Sequence, residues 1–359
     1  MAIDAVPSIV TSTVNEAEDL PPEAGRCGAP PIMNHGDGPA LSIVIPVFNE
    51  AECIPQLAGR VRRVMDELGM EVEVVFVDDH STDDTSQLLK RLCSEDGRFR
   101  YIRLSCNSGS HIAVLAGLEH SRGACRVFMA ADLQDPPELI ARMLGLWKAG
   151  NDVVWAVREQ RPGIGLLERV FSRLFYWLMN RFGEVNLPPN GADFALLDRR
   201  VAEALAACVG AHPNLMCELA KIGFRQASFP YAKQGRISGR SKWTFRRKLK
   251  MLVDTFVSFS YAPLRAMSYT GIAASLLGFL YASFVVAMRI VRGSPVEGWA
   301  SLMVVVLILG GAQMLMLGVL GEYVWRTLDE ARKRPRYFIE DTAGREIQPR
   351  AGAPPGEER

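Results

Sequence analysis

Acidic residues gathered where apolar runs end are the feature of this chain that could do chemistry. Asp132-Leu-Gln-Asp135 follows the apolar run 126–130 and precedes Pro136-Pro137, which can open a helix. Grouped carboxylates repel one another unless a cation or donor groups join them. Hard oxygen ligands of this type suit Mg²⁺ or Mn²⁺ held together with a diphosphate, where the ion neutralises charge on a leaving nucleotide. A turn or a helix N-cap would account for the same acids. Asp78-Asp79-His80-Ser81-Thr82-Asp83 follows another apolar run, and its carboxylates could accept hydrogen bonds from a base or ribose. For Ser81 and Asp83 the preferred reading is capping of the next helix. A basic segment, Arg236-Ile-Ser-Gly-Arg240-Ser-Lys242-Trp243, could hold a phosphate at a bilayer surface, although attraction to anionic lipids explains the same charges. His111, near an expected helix start, reads as a packed or capping residue.

The elements that must position these groups are legible as a repeating pattern. Short β-rich runs occur at Leu41–Val47, Val72–Val77, Tyr101–Leu104, Arg126–Ala130 and Val153–Val157, with helical patterns between them. Ile54, Leu57, Val61, Val64, Met65 and Leu68 recur at three- and four-residue spacing, which puts them on one helix face. Strand and helix in alternation predict an α/β domain with a mostly parallel sheet, about residues 40–235. Ligands of such sheets sit beyond the carboxyl ends of the strands, where Asn49-Glu50, Asp78-Asp79 and Asp132–Asp135 fall. Residues 1–39 show no sustained period and no signal-peptide pattern, and read as a disordered tail.

Whole-chain averages conceal a polarised molecule. The 359 residues carry 41 Lys and Arg against 40 Asp and Glu, a net charge of +1, with 48% hydrophobic residues. Those values exclude collagen, a fully disordered chain and a strongly basic nucleic-acid binder. Seven scattered cysteines without a CxxC pair fit a reduced compartment, and five dispersed histidines offer no zinc spacing. Ser268–Met288 and Trp299–Gly321 contain no charge and are each long enough to cross a bilayer core of about 30 Å. Basic residues flank the pair, in 233–250 and in 326–336, while the link 289–298 is nearly neutral. The positive-inside rule then places both ends and the α/β domain in the cytosol. Phe245, Leu249, Leu252, Phe256 and Phe259 share a face of a helix otherwise rich in Arg and Lys, the pattern of a helix lying in the membrane interface. The expected organisation is a tail (1–39), the α/β domain (40–235), a basic loop with the juxtamembrane helix (236–266), two spans (267–325) and a cytosolic basic tail (326–359). Gly310-Gly311, Gly318 and Gly321 permit close helix contacts, between the spans or between subunits of a homo-oligomer.

Taken in order, Leu41-Ser-Ile-Val-Ile-Pro-Val-Phe-Asn-Glu50, Val77-Asp-Asp-His-Ser-Thr-Asp-Asp-Thr85 and Ala131-Asp-Leu-Gln-Asp-Pro-Pro-Glu138 resemble family-2 glycosyltransferases of the GT-A fold. Asp193-Phe-Ala-Leu-Leu, Gly239-Arg-Ser-Lys-Trp243, the paired spans and Gly321-Glu-Tyr with Arg334-Pro-Arg-Tyr337 narrow the resemblance to bacterial polyprenyl-phosphate glycosyltransferases, relatives of dolichyl-phosphate mannose synthase. The resemblance covers about residues 40–340. It implies that Pro46, Phe48, Glu50 and Ala131 line the nucleotide-sugar pocket, and that Asp79 contacts the base or ribose with Asp78 beside it. It implies that Asp132 and Gln134 ligate Mg²⁺ or Mn²⁺, and that Arg158, Arg169, Arg236 and Lys242 meet donor or acceptor phosphates. Asp193 stands where relatives acting on hydroxyls place a base; here it is expected to orient acceptor or sugar. Many relatives have Asp where this chain has Ala130, so Asp135 or water is expected to complete the metal shell.

The activity so implied is inverting transfer of one sugar from a nucleotide diphosphosugar, a UDP-sugar such as UDP-glucose, to undecaprenyl or another polyprenyl phosphate. The expected location is the cytosolic face of the bacterial plasma membrane, with no nucleic-acid partner. A polysaccharide synthase would be expected to carry a QxxRW-like motif and more spans, and a non-catalytic scaffold that binds nucleotide sugar would form no product.

Overall fold

Apolar runs too continuous for half-exposed strands build the centre of the fold. The computed structural model describes residues 38–159, 193–208, 210, 214–234, 262–292, 298–332 and 334–344. Within them the chain divides into two compact units, one around a β-sheet and one made of two long helices. The sheet contains β1 (Leu41–Val47), β2 (Val72–Asp78), β3 (Phe99–Leu104), β4 (Cys125–Phe128), β5 (Val153–Arg158), β6 (Phe194–Asp198), β7 (Gln226–Tyr231) and β8 (Ile339–Ala343). Their spatial order is β7-β5-β6-β4-β1-β2-β3-β8. Strands β4, β1, β2 and β3 run parallel, as do β5 and β7. β6 is antiparallel to both of its neighbours, and β8 is antiparallel to β3. The expected α/β domain is thus present, with antiparallel neighbours at β6 and β8 in a sheet whose other pairs are parallel.

Helices cover both faces, which is why the central strands are apolar on both sides. Ile43, Ile45, Val74 and Phe76 pack on one face with Leu57 and Val61 of α1 (Ile54–Leu68) and Leu89 of α2 (Thr85–Glu95). Val44, Val75 and Val77, one position out of phase, pack on the other with Leu115 of α3 (Ser110–His120) and Leu205 of α5 (Arg199–Cys208). A fourth helix, α4 (Ile140–Lys148), follows a short 3₁₀ turn at Pro137–Leu139, and α6 (Leu215–Lys221) follows α5. Helix α3 is apolar all round and buries every residue from Ile112 to Leu118. Its Gly117 lies so close to the sheet that a Cβ there would stand 2.3 Å from Val44 Cγ1 and 2.9 Å from Val77 Cγ2.

The last strand departs from the expectation for residues 326–359. Instead of continuing a basic tail, Ile339–Ala343 adds an eighth strand along β3. Ion pairs fasten it there, Glu340 to Arg103 and Asp341 to Lys90 of α2. Just before it, Arg336 and Tyr337 both bond the Glu119 carboxylate of α3. The strand reads Ile-Glu-Asp-Thr-Ala and presents no buried face, so no apolar alternation announces it.

The second unit consists of α7 (Ala262–Arg292) and α8 (Trp299–Ala331). Each contains an apolar stretch long enough to cross a membrane, Leu264–Met288 and Val304–Ala331, and neither stretch is buried within the protein. Among the described residues, a Cβ at Gly310, Gly311, Gly318 or Gly321 would meet nothing within 4 Å, so these glycines do not draw α7 and α8 together. The disordered tail expected for 1–39 (all but its last two residues) and the juxtamembrane face Phe245–Phe259 lie outside the described residues.

Replacing Gly117 with Ala should destabilise the protein by about 1–3 kcal/mol through overpacking, despite the better helix propensity of Ala. Denaturation of the purified protein in detergent checks this; an unchanged midpoint would contradict the close approach of α3 to the sheet.

Candidate functional site

Parallel β4, β1 and β2 are adjacent, so the loops that follow them open side by side at one edge of the sheet. β6 runs the other way, so its first residues and Asp193 just before it reach that same edge, beside the ends of β5 and β7. Almost every expected site residue that falls within the described regions therefore comes to one rim. Arg169, Arg236 and Lys242 lie outside the described residues.

The β1 and β2 loops are laced together by side chains. Pro46 has no N–H to give, and its position is tolerable because β4 pairs with β1 only through Val44. Beyond it Phe48, Asn49 and Glu50 leave the strand half-buried. Asn49 donates its backbone N–H to Ser81 Oγ at 2.9 Å and accepts from Thr82 N at 2.8 Å. The N-cap of α2 is Asp84, without a side-chain cap bond, so the capping role preferred for Ser81 and Asp83 gives way to loop lacing: Asp83 accepts from Thr85 N and Ala51 N, and Ser81 accepts from the β1 loop. Asp78 is fully buried at 0% exposure. Its carboxylate accepts from Ser81 N at 2.8 Å, Tyr101 Oη at 3.2 Å and Arg103 Nη1 at 2.6 Å. Asp79 accepts from Ser108 N at 2.6 Å and Gly109 N at 2.9 Å, anchoring the loop that starts α3. Burial raises the Asp79 pKa against the opposing pull of those two N–H groups.

The β4 loop carries Ala131, Asp132, Leu133, Gln134 and Asp135. Asp132 Oδ1 accepts from Gln134 N at 3.2 Å across a left-handed Leu133 with φ 57°. Two more non-glycine residues have positive φ, Asn49 at 54° and His80 at 63°. All three of the described residues with this strain stand in the three rim loops, the places where strained backbone serves a site. Outside the loop, Arg60 of α1 grips Glu138 at 2.6 Å, and Gln234 N donates to Gln134 O at 3.0 Å. Burial, Glu50 and, more weakly, Asp132 push the Cys53 thiol up, which puts both carboxylates in its neighbourhood.

Asp135 is also buried to 0% exposure. Tyr231 donates to its Oδ1, and Lys233 Nζ stands 3.8 Å from the same oxygen. Burial drives this pair toward neutrality, raising Asp135 and lowering Lys233, and their mutual attraction offsets only part of that. These contacts engage one oxygen of Asp135 in holding the end of β7 to the loop. Among the described residues no group of three or more His, Cys, Asp or Glu could hold a metal. One carboxylate and one amide oxygen are nevertheless the donor set of a Mg²⁺ or Mn²⁺ site that substrate phosphates and water complete.

Arg158 ends β5 in register with Tyr231 and forms an ion pair with Asp193. Burial opposes the Arg158 charge, but the Asp193 and Asp135 carboxylates outweigh it and hold the pKa above its usual value. Asp193 itself is 57% exposed. Asp135 Oδ2 and Arg158 Nε are buried without a hydrogen-bond partner. Such atoms are rare and mark a site or a strain reservoir. Tyr231, Lys233 and Arg103 were not singled out by sequence reasoning, and no local motif marks them.

His111 lies in the first turn of α3, where burial lowers its pKa and Asp193 partly restores it. A histidine depressed in the folded state binds fewer protons there than in the unfolded chain. Its contribution is thus complete above the unfolded value of about 6.5 and is lost as pH falls below it. His111→Gln should narrow the drop in thermal midpoint between pH 7.5 and 5.5, measured against wild type; an equal drop in both would refute the assignment.

Residues 42–206 match the model of glycosyl transferase family 2. The chain is 36% identical over 303 residues to the glycosyltransferase YkcC of Bacillus subtilis (strain 168), covering 84% of this chain and 94% of that protein. It is 35% identical over 299 residues to the bactoprenol glucosyl transferase of Shigella phage SfX, covering 83% of this chain and 98% of that one. A distant likeness joins it to the crystal structure of glucosyl-3-phosphoglycerate synthase from Mycobacterium tuberculosis, with 17% identity, a TM-score of 0.47, and coverage of 62% of this chain and 80% of the other. With near-complete relatives at this identity and the family's loops side by side on one rim, the chain belongs to glycosyl transferase family 2.

Proposed function

We propose that this glycosyltransferase moves one sugar from a nucleotide diphosphosugar to a polyprenyl phosphate, with inversion at the anomeric carbon. The observation that carries this reading is the likeness to a bactoprenol glucosyl transferase along almost the whole of that protein, in a chain that also has two apolar helices of membrane-spanning length. The donor is a UDP-sugar, with glucose favoured by the names of the relatives.

The acceptor phosphate is largely dianionic at neutral pH, its second pKa being about 6, and needs no general base. One of its oxygens forms the new bond to the anomeric carbon while the bond from that carbon to the diphosphate breaks, and the electron pair leaves with the nucleoside diphosphate. What the protein must supply is alignment and charge. Pro46, Phe48, Glu50, Ala131 and Asp79 form the nucleotide-sugar end, with Asp78 holding its turn. Asp132 and Gln134 would hold Mg²⁺ or Mn²⁺, whose charge offsets that of the leaving diphosphate. Arg158 offers a buried, permanently charged guanidinium to a phosphate, and Asp193 holds it in place from the solvent side. Arg169, Arg236 and Lys242 are further phosphate ligands in this reading.

Chain connectivity supports the membrane topology. Strands β7 and β8 belong to one sheet, and both long helices lie between them in sequence. A first crossing undone by the second would leave both ends of the helix pair on the side of that sheet. The basic flanks favour the cytosolic side.

Detergent-solubilised protein supplied with undecaprenyl phosphate, Mg²⁺ or Mn²⁺ and a panel of labelled nucleotide sugars should form a lipid-linked monosaccharide. Failure with every donor would overturn the reading. Asp132→Asn should lower kcat roughly 100-fold or more, the scale of losing one group aimed at developing charge, and chelation should abolish turnover until the ion is restored.

A further inference from the structure

The strand that follows the two long helices does more than lengthen the sheet. Between Arg103 and Leu104 the pairing of β3 with β8 slips, so that Arg103 faces Asp341, Leu104 faces Ile339, and Glu340 is the extra residue of a β-bulge. Bulges re-aim side chains. Here the effect is that one carboxylate oxygen, Glu340 Oε2, lies 2.8 Å from Arg103 Nε and 3.3 Å from His80 Nδ1. Arg103 in turn reaches Asp78 Oδ2 at 2.6 Å and the Ser81 carbonyl at 3.1 Å. Glu340 thus touches two side chains that brace the turn 78–81, whose backbone is strained at His80.

The same strand reaches the other side of that turn. Phe338 O accepts from Ser105 N at 2.9 Å, continuing the β3 ladder into the loop whose Ser108 and Gly109 N–H groups hold Asp79. Asp79 is therefore set between two pieces of backbone that the C-terminal strand steadies.

We propose that Glu340 is a positioning residue for nucleotide binding, acting through Arg103 and His80 on the turn that carries Asp78 and Asp79. This rests on the reading of that turn as the nucleotide end of the site. Glu340 does not touch the nucleotide. It fixes the guanidinium that keeps the buried Asp78 charge paired, and Arg103, with only 17% of its side chain exposed, has little water to replace it. The effect is expected on the donor side, because Arg158, the described residue assigned to a phosphate, ends β5, across β6, β4 and β1 from this turn.

The test uses full-length protein in detergent, with UDP and GDP titrated calorimetrically in the presence of Mn²⁺, and steady-state kinetics with the donor found above. Glu340→Gln should raise the nucleotide Kd and the donor KM about fivefold, the upper range for a partly exposed ion pair, with kcat and acceptor KM unchanged. Glu340→Asp should recover most of the loss. Asp341→Asn, which breaks the neighbouring Lys90 pair on the same strand, should leave both constants at wild-type values. An unchanged Kd in Glu340→Gln, an equal loss in Asp341→Asn, or a fall in thermal midpoint without a donor effect would each overturn the role of Glu340. Wild-type protein that binds neither nucleotide would overturn the reading of the site, and this role with it.

Discussion

A carboxylate taken out of water must be paired or it will not stay charged, and two such carboxylates organise the rim of this sheet. Asp78 and Asp135 have no exposed surface. Asp78 draws in Arg103, Tyr101 and the Ser81 N–H; Asp135 draws in Tyr231 and Lys233. One ends β2, and the other stands in the β4 loop, where Tyr231 at the end of β7 reaches it. Asp79, beside the first, is nearly as buried and is held by the Ser108 and Gly109 N–H groups, whereas Asp132, near the second, is half-buried. Loop conformation at the rim follows from these buried acids and the donors they draw in.

Burial also decides how much of the fold and of the site is legible in the amino-acid sequence. The five strands through Val153–Arg158 were legible because burial on both faces makes them continuous apolar runs between helices of clear period. β6, β7 and β8 were not read as strands. Phe194–Asp198 is short, Gln226–Tyr231 alternates Ala227, Phe229 and Tyr231 against Gln226, Ser228 and Pro230 but carries a proline in the run, and Ile339–Ala343 has no fully buried residue. The acidic clusters were legible as clusters, but which acid faces inward depends on partners far away in sequence. Arg103 lies 25 residues from Asp78, and Tyr231 lies 96 from Asp135. The pairing of Arg158 with Asp193 spans 35 residues and depends on the reversal of β6, which no local pattern encodes.

Backbone strain follows the same logic. Asn49, His80 and Leu133 each occupy a left-handed conformation that costs a non-glycine residue free energy. Each is bracketed by hydrogen bonds from a neighbouring loop or strand, so the cost is met by the lacing that also keeps the loops in register. Lacing of this kind holds the loops in one arrangement, which suits a reaction that depends on alignment more than on proton transfer.

The return of the chain to β3 has a consequence for how the protein can be cut. Removing everything after β7 to obtain a water-soluble catalytic fragment would also strip β8, leaving the β3 ladder unpaired along an open edge prone to self-association. A short linker replacing only the two apolar helices would keep that edge covered. In this fold the membrane hairpin behaves as an insertion into the catalytic domain, and solubility has to be sought by excision from the middle, not by truncation from the end.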